Sequence, residues 1–270
     1  MNGDTAQNLL RTALDSGVLT VTMDRPQVHN ALNPQLTGEL TSLFREVGAR
    51  DDVRVVVLTG AGRTFCAGGD LASMRAAADF DFQQNVTDGQ AIFDLMAAVD
   101  RCPKPVVGRV NGSAFGGGTG LISCCDMAIA VEHAKFAFSE VRLGLIPAVI
   151  SPFVLRKIGP GYARELFLTG EGFDADKALH IGLIHQVSSV ETLDDAVNQK
   201  VALLLRGAPE AQSAAKEIIR MGDEQQSLDE QRVATAEILA RRRASQEGRE
   251  GMSAFLEKRK VDWKKGKRTA

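Results

Sequence analysis

Val106-Val-Gly-Arg-Val-Asn-Gly-Ser-Ala-Phe-Gly-Gly-Gly-Thr-Gly120 holds a strand, a glycine-rich turn and the start of a helix within fifteen residues. Val106–Val110 reads as the strand, and the helix follows the turn directly. In open α/β architectures ligands bind outside the carboxyl ends of strands, and glycines let a ligand reach backbone N–H groups that side chains would screen. The arrangement occurs a second time upstream. Val53-Arg-Val-Val-Val-Leu58 reads as a strand buried on both faces, and Phe65-Cys-Ala-Gly-Gly-Asp70 follows it. Two such loops supply two converging backbone donors, as an oxyanion hole requires. The donor at Gly116–Gly118 lies at a helix N-terminus, where the macrodipole favours negative charge. Read purely as architecture, the same glycines make tight turns and close helix–sheet packing.

Outward from these loops the chain alternates strands and helices. Gly17-Val-Leu-Thr-Val-Thr-Met23 alternates polar and apolar residues like a half-buried strand. A helix follows Asn33-Pro34, a capping residue with proline at the first helical position, and carries Leu36, Leu40, Leu43, Phe44 and Val47 on one face. A second helix spans Gly89 to Val99 and ends at the Pro103–Pro105 punctuation. Met127–Val131 and Lys135–Ser139 read as strands, and Ile184–Val187 as one short strand among later helical patterns. Strands first and helices last predict an α/β fold, with a sheet-containing core over residues 1–200 and a helical part over 201–270.

The chain has 270 residues, 44% of them hydrophobic and 24% charged, with a formal net charge of -2. That composition suits an ordinary globular protein and names no charged partner. The N-terminal residues carry no basic stretch followed by a long apolar run, and eighteen consecutive apolar residues occur nowhere. The expectation is a cytoplasmic protein with no membrane partner. Cys66, Cys102, Cys124 and Cys125 include no CxxC and read as buried, reduced thiols. His29, His133, His180 and His185 are scattered without HExxH, and Ser139 lacks a GxSxG elbow, so neither a metal nor a serine nucleophile is expected. No GxxxxGK[S/T] loop and no GxGxxG in dinucleotide register occurs. Lys258–Arg268 is basic enough to attract phosphates, and a nucleic-acid-binding protein using this tail is the alternative from another class; a solvated helix end is the blander reading.

Asp24-Arg-Pro-Gln-Val-His-Asn-Ala-Leu-Asn33, Phe65–Leu71, Asn111–Gly120, Cys125-Asp-Met127 and Phe136-Ala-Phe-Ser-Glu-Val-Arg-Leu-Gly-Leu-Ile-Pro147 resemble, in order, the signature blocks of the crotonase (enoyl-CoA hydratase/isomerase) superfamily. The resemblance covers nearly the whole chain. It implies a spiral of ββα turns, a helical C-terminal trimerisation region, and an acyl-CoA thioester whose carbonyl oxygen is held by the backbone amides of Gly69 and Gly117. It also implies a homotrimer or a dimer of trimers, and coenzyme A as part of the substrate with no separate cofactor. Ala67, Asp70 and Leu71 fall where the family binds coenzyme A along the first loop. Gly251–Arg259 resembles the family's C-terminal block, with Phe255 and Lys258 at the positions that reach coenzyme A, often from a neighbouring subunit.

In hydratases of this family two glutamates flank the double bond. Glu140 stands at the second position, and Gly120 at the first. One carboxylate can act as base and then as acid if an apolar setting, such as Phe138, Val141 and Leu143 would supply, raises its pKa. The departure leaves hydration, double-bond isomerisation and a catalytically dead acyl-CoA binder open. Gly118–Asp126, Ser139–Pro152 and Glu250–Lys260 resemble bacterial methylglutaconyl-CoA hydratases and their relatives acting on isoprenoid glutaconyl-CoA esters. Ala148-Val-Ile-Ser151 replaces a glycine-rich stretch of the family and is expected to add bulk near the acyl group. Arg142 and Arg109 lie nearby in motif terms, though neither is assigned to a distal substrate carboxylate.

Overall fold

The computed structural model describes residues 8–223, 227–261 and 263. The strands form two sheets. Strands β1 (Leu10–Asp15), β2 (Val18–Met23), β3 (Val55–Gly60), β5 (Val106–Val110), β7 (Met127–Val131) and β10 (Gln186–Ser188) make a six-stranded sheet in the order β1-β2-β3-β5-β7-β10. Strands β4 (Thr64–Cys66), β6 (Ser113–Phe115), β8 (Lys135–Ala137) and β9 (Gly172–Asp174) make a four-stranded sheet in the order β4-β6-β8-β9. Pairing is antiparallel only at the edges, β1 with β2 and β8 with β9.

The succession explains the spiral. Each turn places one strand in the large sheet and the next in the small one, then crosses over through helices. Thus β3 and β4 precede α2 (Leu71–Ala77) and α3 (Phe82–Asp100), β5 and β6 precede α4 (Gly117–Cys124), and β7 and β8 precede α5 (Ser151–Thr169). Helix α1 (Pro34–Val47) is capped by Asn33, whose side chain accepts from the Leu36 N–H, and it buries Leu36, Leu40, Phe44 and Val47. Strand β3 is buried along its whole length, which is why it shows no alternation. Helix α5 kinks at Gly159-Pro160, where Gly159 takes φ 72.

After α6 (Ala175–His180) and β10, α7 (Leu193–Leu205) packs on the large sheet against β3, β5 and β7. Helices α8 (Pro209–Asp223), α9 (Leu228–Ala244) and α10 (Gln246–Leu256) complete the described chain. They bury little: Ile238 is the buried residue of α9, while Leu228, Val233 and Leu239 on the same helix are exposed. The four cysteines are free and buried, as expected. Most of the basic tail, residues 262 and 264–268, lies outside the described residues.

Two features of the fold are not legible in the sequence. Leu10–Asp15 forms an edge strand paired with β2, which alternation alone does not reveal because only Leu10 is buried. The second sheet is likewise invisible to periodicity, since β4, β6 and β9 are three residues each and too short to show a period.

Candidate active site

The two glycine loops meet, and Leu32 joins them. Its N–H donates to the Gly68 carbonyl at 2.7 Å and its carbonyl accepts from the Asp70 N–H at 3.0 Å, a parallel bridge opposite Gly69. In that pairing the Gly69 N–H points away from Leu32. Leu32 reaches the second loop as well: a Cβ on Gly117 would stand 3.1 Å from its Cδ1. A Cβ on Gly118 would collide with the Cys66 carbonyl, so only glycine lets the second loop lie this close to the first. Gly117 is the first residue of α4, hence one of the four N–H groups a helix leaves without an internal partner. Among the described residues neither the Gly69 nor the Gly117 N–H has a hydrogen-bond acceptor.

Buried polar side chains hold both loops. Asn30 accepts from the Arg25 N–H and donates to the carbonyls of Ala61 and Thr64 at 2.9 and 2.7 Å. Asn111 accepts from the Gly60 N–H at 3.2 Å and donates to the Gly62 carbonyl at 2.9 Å. Asp70 caps α2, accepting from the Ala72 and Ser73 N–H groups, and pairs with Arg25 at 3.0 Å. Burial pushes the Asp70 carboxyl up, but the Ser73 N–H and the Arg25 guanidinium outweigh it, and the pKa lies below the usual aspartate value. Its carboxylate is thus engaged by the fold.

Glu140 opens a single tight helical turn, Glu140–Leu143, just beyond β8. Its carboxyl lies against Gly116, the residue before Gly117: a Cβ there would stand 2.9 Å from Oε1 and 3.5 Å from Cδ. Gly116 also adopts φ 49, a conformation that side-chain-bearing residues resist. Glu140 Oε2 is buried and has no hydrogen-bond partner. Burial raises the Glu140 pKa above the usual glutamate value. Of the apolar residues expected around it, Phe138 is fully buried against Phe167 and Phe173, whereas Val141 and Leu143 are 37% and 63% exposed.

Gly120 lies one helical turn beyond Gly116, with its N–H donating to the Gly116 carbonyl at 3.0 Å. The space beside it is filled. A Cβ on Gly120 would stand 2.5 Å from Ile150 Cγ2, 2.9 Å from Ile150 Cβ and 3.4 Å from Met96 Cε. Ile150 comes from the Ala148–Ser151 segment and is 2% exposed. The bulk expected of that segment lies against Gly120, where it fills the space a side chain at position 120 would need. The sequence shows both departures but not that they touch.

The remaining candidates are more dispersed. Ala67 is half-buried in the first loop, and Leu71 at the start of α2 is 82% exposed. Phe255, also 82% exposed, lies on α10, which packs against α9; Lys258 follows in the exposed turn beyond it. Arg109 is taken up by Asp194 at 2.6 Å. Arg142 runs beside Gly170 on the turn that Glu140 opens. Among the described residues no group of histidines, cysteines and carboxylates could hold a metal, and no helix is long and apolar enough to cross a membrane.

Two unpaired amides on neighbouring glycine loops, with a desolvated carboxyl beside one of them, are the groups that stabilising an oxyanion while moving a proton calls for. The family model for enoyl-CoA hydratase/isomerase matches residues 13–267. A crotonyl-CoA hydratase of Syntrophomonas wolfei is 35% identical over 89% of this chain and 92% of its own length. Among solved structures, an enoyl-CoA hydratase from Shewanella pealeana is 39% identical with a TM-score of 0.92, covering 96% of this chain and 97% of that one. Pseudomonas aeruginosa AtuE is 36% identical with a TM-score of 0.91, covering 95% and 100%. The chain belongs to the enoyl-CoA hydratase/isomerase family, the crotonase superfamily, and is an enzyme of the enoyl-CoA hydratase type.

Proposed function

We propose that the protein hydrates a 2-enoyl-CoA thioester to the 3-hydroxyacyl-CoA, or runs the reverse dehydration, with methylglutaconyl-CoA going to 3-hydroxy-3-methylglutaryl-CoA in leucine degradation. The observation that carries the hydratase reading is the Glu140 carboxyl, whose Oε2 is buried and unpartnered and whose Oε1 lies against the residue before the free Gly117 N–H. The thioester oxygen accepts from the Gly69 and Gly117 N–H groups. Glu140 takes a proton from water as the water oxygen bonds to C3, and the C2=C3 electrons move onto the thioester oxygen as an enolate. The protonated Glu140 then returns its proton to C2 as the carbonyl re-forms, so one water is added and the carboxylate regenerated. The choice of acyl group is supported by the resemblance of Gly118–Asp126, Ser139–Pro152 and Glu250–Lys260 to methylglutaconyl-CoA hydratases.

In this reading Ala67, Asp70 and Leu71 lie along coenzyme A, and Phe255 and Lys258 reach it across a homotrimer or dimer of trimers built on residues 201–270. Coenzyme A enters with the substrate and no further cofactor is needed. The exposed apolar surfaces of Leu71 and Phe255 fit groups that a ligand or a neighbouring subunit covers. The same reading has the protein act in the cytoplasm without a nucleic-acid partner.

Isomerisation, which needs one base, is the second reading, favoured by a separate observation, that Ile150 fills the space beside Gly120. The test mixes purified protein separately with 3-methylglutaconyl-CoA, crotonyl-CoA and a 3-enoyl-CoA and follows product mass. Gain of water by wild type, lowered roughly 100-fold to 10,000-fold in Glu140→Gln, is the expected result. Double-bond migration without added water would make the protein an isomerase, and near-normal turnover by Glu140→Gln would remove Glu140 from the mechanism.

A further inference from the structure

We infer that a cavity remote from the catalytic loops binds a small carboxylate with an apolar body. The cavity, of about 410 Å³, lies where α4 ends and β5 and β7 begin, roofed by α5 and α8. Gly117 stands at the opposite end of α4, so this is a separate site.

Its charges do not balance. Arg156 pairs with Asp100 at 2.9 Å and Lys216 with Asp126 at 2.6 Å. Lys157 and Arg220 also line the cavity, and among the described residues neither has a carboxylate within ion-pair distance. Lys157 donates instead to the Cys125 carbonyl at 2.7 Å. Lys157 is thus engaged by the backbone, with a second, longer contact to the Asp126 carbonyl at 3.4 Å, and among the described residues the Arg220 guanidinium is the cation left over.

Hydrogen bonding is also incomplete there. Arg220 Nη1 and Gln212 Oε1 are buried without a partner, although Gln212 Nε2 donates to the Leu204 carbonyl at 2.7 Å. Buried polar atoms are almost always satisfied, and although neither orphan atom opens onto the cavity as it stands, a small turn of the two flexible side chains lining it would bring them to an occupant. Glu140 Oε2, an orphan of the same kind, lies at the catalytic site. The Arg220 guanidinium calls for an anion, and the carbonyl of Gln212 for a hydroxyl, an acid proton or a water carried in with it. Met127, Phe153, Leu204 and Ile219 supply the rest of the wall, which selects an apolar body over a bare inorganic ion.

Titration calorimetry on the intact full-length protein, with saturating coenzyme A to occupy the catalytic loops, tests this with hexanoate as the probe. Hexanoate should bind saturably at one site per chain, at least tenfold more tightly than inorganic phosphate, while hexylamine gives no saturable heat. Arg220→Met should weaken hexanoate at least tenfold, and Arg220→Lys, which keeps the charge, should retain most of the binding. Circular dichroism confirms that each variant is folded. Absence of saturable hexanoate binding, unchanged affinity in folded Arg220→Met, or equal binding of phosphate or hexylamine would overturn the proposal.

Discussion

Substituting Gly120 tests whether Ile150 has taken the place of a second carboxylate. A methyl group at position 120 would stand 2.5 and 2.9 Å from two Ile150 atoms, well inside van der Waals contact. Overpacking of a fully buried site costs about 1–3 kcal/mol. Gly→Ala within a helix returns about 1 kcal/mol. Gly120→Ala should therefore lose up to about 2 kcal/mol. Ile150→Ala alone should lose about 2–4 kcal/mol as a core truncation. In the double variant the new methyl enters the space that Ile150 vacates, so the two losses should fall short of additivity by about 1–3 kcal/mol. Urea unfolding of the four proteins at one protein concentration measures this, because any oligomer shifts the midpoint by mass action. The same logic carries to the carboxylate: Gly120→Glu should fail to fold stably, and Gly120→Glu with Ile150→Gly should recover. Additive losses would refute the claim that the two side chains exclude each other.

Gly117→Pro removes the proposed oxyanion N–H at a first helical position where proline is tolerated, so a folded variant should lose about 100-fold to 1,000-fold in kcat; unchanged kinetics would take Gly117 out of the oxyanion hole. Glu140 has a folded pKa above its unfolded one, so its contribution to stability is full below the unfolded value and is lost as pH rises through the folded value. Glu140→Gln should accordingly melt above wild type at about pH 8, with the advantage gone by about pH 4; an equal gap at both would contradict the burial argument. Asp70→Asn keeps a capping oxygen but breaks the Arg25 pair, whose side chains are 13% and 8% exposed, and should cost about 3 kcal/mol. Because the Asp70 pKa is lowered, that stability is present above the unfolded value and is lost as pH falls through the folded one, so the gap from wild type should close in acid melts.

The elements that position the site are legible where side chains carry a period or a cap. The strands Met127–Val131 and Val106–Val110 have the bounds their apolar runs give, and the buried strand at 53–58 moves only to Val55–Gly60. Helix α1 is announced by Asn33-Pro34 and its apolar face. Helix α3 extends seven residues before Gly89, to Phe82, because its first turns are exposed and its start is set by the Asp81–Gln84 capping box rather than by periodicity. The convergence of two glycine loops is readable from the position of each loop after a buried strand. Their junction is not: Leu32 lies inside the Asp24–Asn33 block, yet its bridge to Gly69 is a long-range backbone pairing that no local pattern encodes. Ile150 escapes for the same reason, since 30 residues separate it from Gly120.

Gly116 and Gly120 lie one turn apart on a single face of α4, with the Glu140 carboxyl against the first and Ile150 against the second. A second glutamate at 120 would bring another carboxylate to this face, where the two anions would repel each other and share the site's protons. Ile150 replaces that charge with hydrocarbon. What remains is one carboxyl in a drier setting, and burial is the largest influence on its pKa. A lone group that must first accept and then return a proton works best with a pKa raised toward the working pH, whereas an ordinary solvated glutamate would return it poorly. Gly120 and Ile150 thus fit one another, leaving Glu140 as the one carboxyl beside this face among the described residues.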